Sequence, residues 1–193
     1  MELAVAEGDR SIPEHTNKDD PFVGAIVATR DREIIAKSHR GELRVGEHCE
    51  FTLLERKLRD RDLTDCVLYV TLEPCTDESI GQEKRGCATH IAAARIGTVY
   101  VGIDDPNPMI AREGIKYLIS KHIVVHPFDA DLQEKIRQRN AQFIREKEEE
   151  AKVIRLETKV EERTLLERAR IGSSITGLSE QALDKFISMS NLP

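Results

Sequence analysis

Apolar runs alternate with amphipathic and charged stretches along most of the chain, and their spacing predicts the elements. Residues 2–7 have helical composition and stop at Gly8. Residues 11–21 are polar and turn-rich and read as a loop. Residues 22–28 (FVGAIVA) are nearly all apolar, as in a buried strand. A turn at 29–31 leads to a second strand at 33–38, and the two read as an antiparallel hairpin. After a loop containing Gly41 and Gly46, residues 48–59 place Phe51, Leu54 and Leu58 at helical spacing. Residues 66–71 (CVLYVT) are the next buried strand, and the polar stretch 76–86 reads as a loop. A small-residue helix over 87–95 is expected to end with Gly97 as its C-terminal cap. A strand at 99–103, a loop at 104–108, a helix near 112–120, a short strand at 123–126 and a charged helix over 131–152 complete the series.

From residue 66 onward strands alternate with helices, which implies right-handed β-α-β crossovers and parallel pairing. With the hairpin in front, the expected architecture is α/β: a three-layer α-β-α sandwich on a mixed five-stranded sheet. Ligands of such sheets bind beyond the C-terminal ends of the strands, where Pro74, Cys75, Asp105 and Asn107 fall. The domain is expected to span 1–152. Residues 153–193 form a charged C-terminal helical extension broken around Gly172 and Gly177, in which Ser179 could cap a short helix carrying Leu183, Phe186 and Ile187. That helix reads as packed on its own domain, with a docking or oligomerisation arm as the alternative.

Composition narrows the class. The chain has 193 residues, 39% hydrophobic and 33% charged, as in a water-soluble globular protein. No apolar run approaches membrane-span length, and the first eight residues are too short and acidic for a signal peptide. A net charge of -6, no Trp and 4% aromatic residues argue against a nucleic-acid partner, which would call for basic surface and stacking rings. Four irregularly spaced Cys suit metal or thiol chemistry better than a disulfide framework, and the compartment is read as cytoplasmic.

The chemistry sits in three short pieces. His48, Cys75 and Cys87 offer one imidazole and two thiolates, the borderline-soft donors that zinc takes, and three protein ligands leave a position open for water. Glu50, two residues after His48, is placed to handle the proton of that water. This is the H-x-E … P-C logic of zinc deaminases. Cys49 and Cys66 read as small buried residues, His90 as a packed histidine, and residues 146–150 as a solvated helix face.

Residues 1 to about 150 resemble the cytidine-deaminase-like superfamily. The nearest likeness is to the deaminase domain of bifunctional riboflavin-biosynthesis proteins. The matching pieces are Val23-Gly24-Ala25-Ile26-Val27, His48-x-Glu50, Thr71-Leu72-Glu73-Pro74-Cys75 and Asp105-Pro106-Asn107-Pro108. The resemblance implies zinc on His48, Cys75 and Cys87 and proton transfer by Glu50. It also implies substrate contacts from Asp105, Asn107 and a basic residue before the second Cys, Lys84 or Arg85. His39 sits where that branch has a pocket-lining His. Asp20 stands where the branch has a substrate-binding Asn, Cys49 replaces an Ala, and Arg112-Glu113-Gly114 replaces Gly-Lys-Gly. Eleven residues separate Cys75 from Cys87, a longer loop than the two of P-C-x-x-C, although closure entropy grows slowly with length.

The resemblance implies a homo-oligomeric, zinc-dependent hydrolytic deaminase acting on a small aminated pyrimidine-type heterocycle. A ribose-phosphate-linked diaminopyrimidine of riboflavin synthesis is the leading substrate class, and a cytidine, CMP or dCMP deaminase is the alternative. A zinc-stabilised binding or regulatory domain is the non-enzymatic rival. The H-x-E weighs against it, because a structural zinc site needs no open position and no acid-base Glu.

Overall fold

The apolar runs become the sheet. The computed structural model describes residues 1–77, 85–108 and 110–176, with side chains through residue 165. Its five strands are β1 (Gly24–Thr29), β2 (Ile34–His39), β3 (Cys66–Leu72), β4 (Thr98–Ile103) and β5 (Val124–Pro127), in the order β2-β1-β3-β4-β5. β1 pairs antiparallel with β2 and β3, and β3–β4 and β4–β5 are parallel. The register places Ala25 opposite Val70 and Leu68 beside Val99. The sheet is therefore mixed, as the hairpin followed by β-α-β units required.

The helices are α1 (Glu2–Gly8), α2 (Cys49–Phe51), α3 (Cys87–Ala93), α4 (Glu113–Ser120), α5 (Ala130–Arg139) and α6 (Ala141–Thr176). Successive side chains of a strand point to opposite faces, and the core divides accordingly. Ala25, Val27, Leu68, Val70, Val99 and Val101 pack with Leu53, Ala88, Ile91 and Leu118. Ile26 and Ile103 pack with Ala4 of α1 and with Phe128, Leu132 and Ile136. Burying each Leu or Ile of these layers contributes roughly 1.5–3 kcal/mol. At the start of β1 the helix layer sits almost on the sheet: a Cβ on Gly24 would lie 2.2 Å from the Ala4 carbonyl oxygen.

Three local expectations are corrected. The helix expected over 48–59 begins as α2 but widens at once into a π-helix, Thr52–Lys57, with the Leu58 N–H donating to the Leu53 carbonyl at 2.9 Å. The wider turn buries Leu53 and Leu54 side by side, and such turns often occur near functional sites. After α3 the left-handed residue is Arg95, with φ of 59°, not Gly97. The charged helix expected over 131–152 is two helices that part at Asn140. That buried side chain accepts the Phe22 N–H at 2.7 Å and donates to the Ile136 carbonyl at 3.0 Å, so it ties the entry to β1 to the end of α5.

The chain divides into two units, Met1–Glu148 and Glu149–Pro193. The first contains the whole sheet and the site described below. In the second, the described residues are helical to Thr176, and Ser179, Leu183, Phe186 and Ile187 lie outside the described residues. Among the described residues, no helix is long and apolar enough to cross a membrane.

Candidate metal centre and active-site cavity

His48 is the N-cap residue of α2, in extended backbone with φ −72° and ψ 146°. Its carbonyl accepts the Thr52 N–H at 3.0 Å. Cys75 follows β3 after Glu73 and Pro74, and Cys87 opens α3. His48 Nδ1 lies 3.5 Å from Cys75 Sγ and 3.3 Å from Cys87 Sγ. The three donor atoms all fall within 4.8 Å of one another.

Local hydrogen bonds fix both sulfur positions. The Cys87 N–H donates to Cys75 Sγ at 3.3 Å, and the Ala88 N–H donates to the Cys75 carbonyl at 3.0 Å. Asp77 Oδ1 accepts the Gly86 N–H at 2.6 Å and the Thr89 hydroxyl at 2.8 Å. A Cβ on Gly86 would lie 2.4 Å from the Thr76 carbonyl carbon, so the two ends of the loop meet through a glycine. The hydrogen bond from Cys87, together with His48, holds the Cys75 thiol down at about 4, against the opposing effect of burial. The same shared proton, with burial, pushes Cys87 up. Burial disfavours a charge on His48, but the Cys75 sulfur and the Glu50 carboxylate outweigh it and raise its pKa, with Arg40 acting in the opposite sense. A nitrogen and two sulfurs converging on one point and competing for protons are a donor set that fits zinc, whose ligands in a tetrahedral centre lie about 3.5–4 Å apart.

Glu50 lies in the first turn of α2 and is 3% exposed. Its Oε2 accepts the Cys49 thiol at 3.3 Å. Burial raises its pKa, partly offset by His48. Burial likewise raises the Cys49 thiol, well above its ordinary value, so Cys49 is a neutral donor to the carboxylate.

A cavity of about 370 Å³ opens over these groups. His48, Glu50, Cys75, Asp20 and Asp105 all contribute to its wall. Asp20 does so as part of a folded loop: it accepts the N–H groups of Glu14 and His15 at 2.7 and 2.8 Å and the His15 ring at 2.9 Å. Burial opposes its charge, yet these bonds bring its pKa below the usual value. Asp105 is pushed up by burial, its Oδ1 accepting the Asn107 N–H at 2.8 Å. Two expected substrate contacts stand elsewhere. His39 is buried with Nδ1 2.9 Å from Glu7 Oε1, away from the cavity wall. Asn107 is not part of that wall either, and its carbonyl accepts the N–H groups of Ile110 and Ala111 at 3.1 and 2.9 Å, closing a turn. Lys84 lies outside the described residues, and Arg85 is exposed.

The cavity also takes residues that the sequence did not mark as part of a site, and one of them, Glu146, corrects the reading of 146–150 as a solvated face: it is half-buried and accepts the Asp19 N–H at 3.2 Å. Arg40 follows β2, Glu73 follows β3, and Phe143, Glu146 and Lys147 come from the start of α6. Glu73 is buried and accepts four backbone N–H groups: Asp105 and Arg112 on Oε2, Gly114 and Ile115 on Oε1, at 2.8–3.2 Å. It therefore holds the Asp105 loop and the start of α4 in place. The signal available in the sequence was an acidic residue immediately before Pro74-Cys75 at a strand end.

The chain is 33% identical over 106 residues to riboflavin biosynthesis protein RibD of Bacillus amyloliquefaciens, covering 54% of this chain and 26% of that protein. It thus spans about a quarter of that relative's length. It is 34% identical over 122 residues to a tRNA-specific adenosine deaminase of Agrobacterium fabrum, covering 61% of this chain and 72% of that protein. Among solved structures, a diaminohydroxyphosphoribosylaminopyrimidine deaminase/5-amino-6-(5-phosphoribosylamino)uracil reductase of Thermotoga maritima superposes with a TM-score of 0.58 at 29% identity, over 72% of this chain and 37% of that one. RibD of Acinetobacter baumannii shares the fold, with a TM-score of 0.61 at 24% identity over 76% of this chain and 38% of that one. Residues 1–103, which include all three converging donors and Glu50, match the family described as the cytidine and deoxycytidylate deaminase zinc-binding region, and the chain belongs to that family.

Proposed function

We propose that this protein is a zinc-dependent hydrolytic deaminase of a small aminated pyrimidine, and that its substrate is a ribose-phosphate-linked diaminopyrimidine. The observation that carries the reading is the placement of the Glu50 carboxylate, buried beside His48, Cys75 and Cys87, at the wall of a cavity large enough for a nucleotide-sized ring system. Zinc held by those three residues would supply a Lewis acid that makes water nucleophilic near neutral pH. Glu50 accepts one proton of the attacking water at a carboxylate oxygen and delivers it to the ring nitrogen next to the reacting carbon; it then takes the proton of the newly added hydroxyl and passes it to the amino group, which leaves as ammonia as the ring carbonyl forms. Cys49 holds the Glu50 carboxylate through its thiol, and Asp105 offers a carboxyl group to polar substituents on the ring.

The pyrimidine ribotide is favoured by the RibD relatives and by the Thr71–Cys75 and Asp105–Pro108 pieces of sequence. A cytidine, CMP or dCMP deaminase is the nearest alternative, and the same site chemistry serves it. The similarity to a tRNA-specific adenosine deaminase raises a polynucleotide substrate, but the net charge of -6 and the absence of Trp weigh against that. The test is ammonia release by zinc-loaded protein from 2,5-diamino-6-ribosylamino-4(3H)-pyrimidinone 5′-phosphate, CMP, dCMP and an adenosine-containing RNA stem-loop. Turnover of the diaminopyrimidine alone is expected. Turnover of the RNA alone would overturn the substrate class, and no turnover of any of them would overturn the reading.

A further inference from the structure

We propose that Arg40 is a specificity-determining residue of this site, whose Nε–H donates a hydrogen bond to a ring carbonyl oxygen of the substrate. The inference deepens the deaminase reading and rests on it for the identity of the ring as an aminated pyrimidine.

Arg40 leaves the end of β2 with its backbone held on both sides: its N–H donates to the Val23 carbonyl, and its carbonyl accepts the Ile12 N–H, both at 2.9 Å. Gly41 then turns the chain at a φ of 81°, where a Cβ would meet Ile12 at 2.9 Å. The Arg40 side chain is 10% exposed and forms part of the same cavity wall as His48, Glu50 and Cys75. One end of the guanidinium is committed, with Nη2 2.8 Å from Glu14 Oε2 and 3.4 Å from Asp20 Oδ1. The other end is not: Nε is buried, and among the described residues it has no hydrogen-bond partner.

A buried donor without an acceptor is costly, and native structures keep few of them without a use. Holding the loop of residues 14–20 requires only Nη2, so the loop does not account for the orphaned Nε. The two carboxylates on Nη2 already compensate the charge of the group, so the remaining requirement is for one neutral, directional acceptor rather than a phosphate. Arg40 shares the cavity wall with His48, Glu50 and Cys75, so a ring bound over those groups sits in the same cavity as its side chain. On an aminated pyrimidinone the neutral exocyclic acceptor is the ring carbonyl. A site built around such a donor rejects the analogue that lacks the acceptor, because the donor is then left unpaired.

The test uses two pairs of rings in which one member lacks the carbonyl and the lactam N–H that goes with it: isocytosine with 2-aminopyrimidine, and cytosine with 4-aminopyrimidine. Dissociation constants are measured by ligand-observed NMR on the zinc-loaded full chain and on Arg40→Lys, which retains a cation for Glu14 and Asp20 but has no Nε–H. The wild type is expected to prefer the carbonyl-bearing member of at least one pair by about tenfold, and Arg40→Lys to lose that preference at unchanged zinc content and melting temperature. Should the variant fail to fold, the Arg40 Nε–H resonance of the wild type serves instead: it must move on adding the preferred carbonyl ring and not on adding its partner. Equal affinities within both pairs, no binding of any ring, a preference that survives in Arg40→Lys, or an unmoved Nε–H resonance overturns the proposal. Carbonyl preference without ammonia release from any substrate would refute the deaminase reading and leave Arg40 as a reader of the carbonyl. Ammonia release with the same substrate ratios in wild type and Arg40→Lys would do the reverse.

Discussion

Glu73 and Gly114 meet beyond the end of β3, the Gly114 N–H donating to Glu73 Oε1 at 2.8 Å in a place where a Cβ on Gly114 would lie 2.0 Å from the Pro74 carbonyl oxygen. The residue before the metal-ligand loop thus fixes the start of α4 and, through the Asp105 N–H, the opposite wall of the cavity. Glu73→Gln keeps the shape but turns an amide NH2 toward backbone donors. We expect it to lower unfolding stability by about 3 kcal/mol, read from urea denaturation. Gly114→Ala should cost about 1–3 kcal/mol through overpacking and reduce activity by shifting Asp105. Wild-type stability in Glu73→Gln would show that the carboxylate is not the organiser of this wall.

Glu50→Gln separates folding from chemistry. The variant should retain the zinc content and melting temperature of the wild type while kcat falls by about 10²–10⁴-fold, the usual contribution of a general acid-base group. Unchanged ammonia release would remove Glu50 from the reaction.

The metal should also contribute to stability, because its donors come from two separate helix starts and a strand end. Chelation is expected to lower the melting temperature, and added zinc to restore it, by linkage of binding to folding. Cys75→Ser and Cys87→Ser should each abolish stoichiometric zinc in elemental analysis. A variant of either that kept full zinc content would displace that residue from the ligand set.

Acid should destabilise the protein through carboxylates outside the metal centre. Burial alone would raise the Glu7 pKa, but the hydrogen bond to His39 and the Lys37 and Arg10 cations bring it below 4.5. Asp20 is likewise held below 3.8. A carboxylate with a lower pKa in the folded than in the unfolded state gives stability that is complete above its unfolded pKa. That stability is lost as pH falls through the folded pKa. Unfolding free energy should therefore decline as pH drops below about 4.5. Glu7→Gln should be less stable at neutral pH and show a shallower acid slope. Equal slopes in urea titrations of the two proteins would refute this.

The layers and the mixed sheet were legible because strands such as Gly24–Thr29 and Cys66–Leu72 are short apolar runs flanked by turn residues; the strand order was not read from the sequence. The convergence of His48, Cys75 and Cys87 was legible because an H-x-E and a P-C at a strand end name their own chemistry. The cavity wall was less so. Arg40 reads as an ordinary charge after a strand, and its significance depends on Glu14 and Asp20 folding back over it. Phe143, Glu146 and Lys147 reach the cavity only because Asn140 ends α5 and restarts the helix, and the charge pattern over 131–152 carries no mark of that break. His39 is claimed by Glu7 of α1, a pairing between distant residues that local periodicity cannot report.

The anchoring of Asp77 to Gly86 and Thr89 has a bearing on how such a chain can diversify. The sulfur positions are set by bonds among residues 75–77 and 86–89, on either side of the intervening segment. Changes in the length or sequence of that segment are thereby uncoupled from ligand geometry, much as a socket stays the same whichever plug is fitted. Replacements between these two anchors that keep Asp77, Gly86 and Thr89 leave in place the bonds that position the sulfurs.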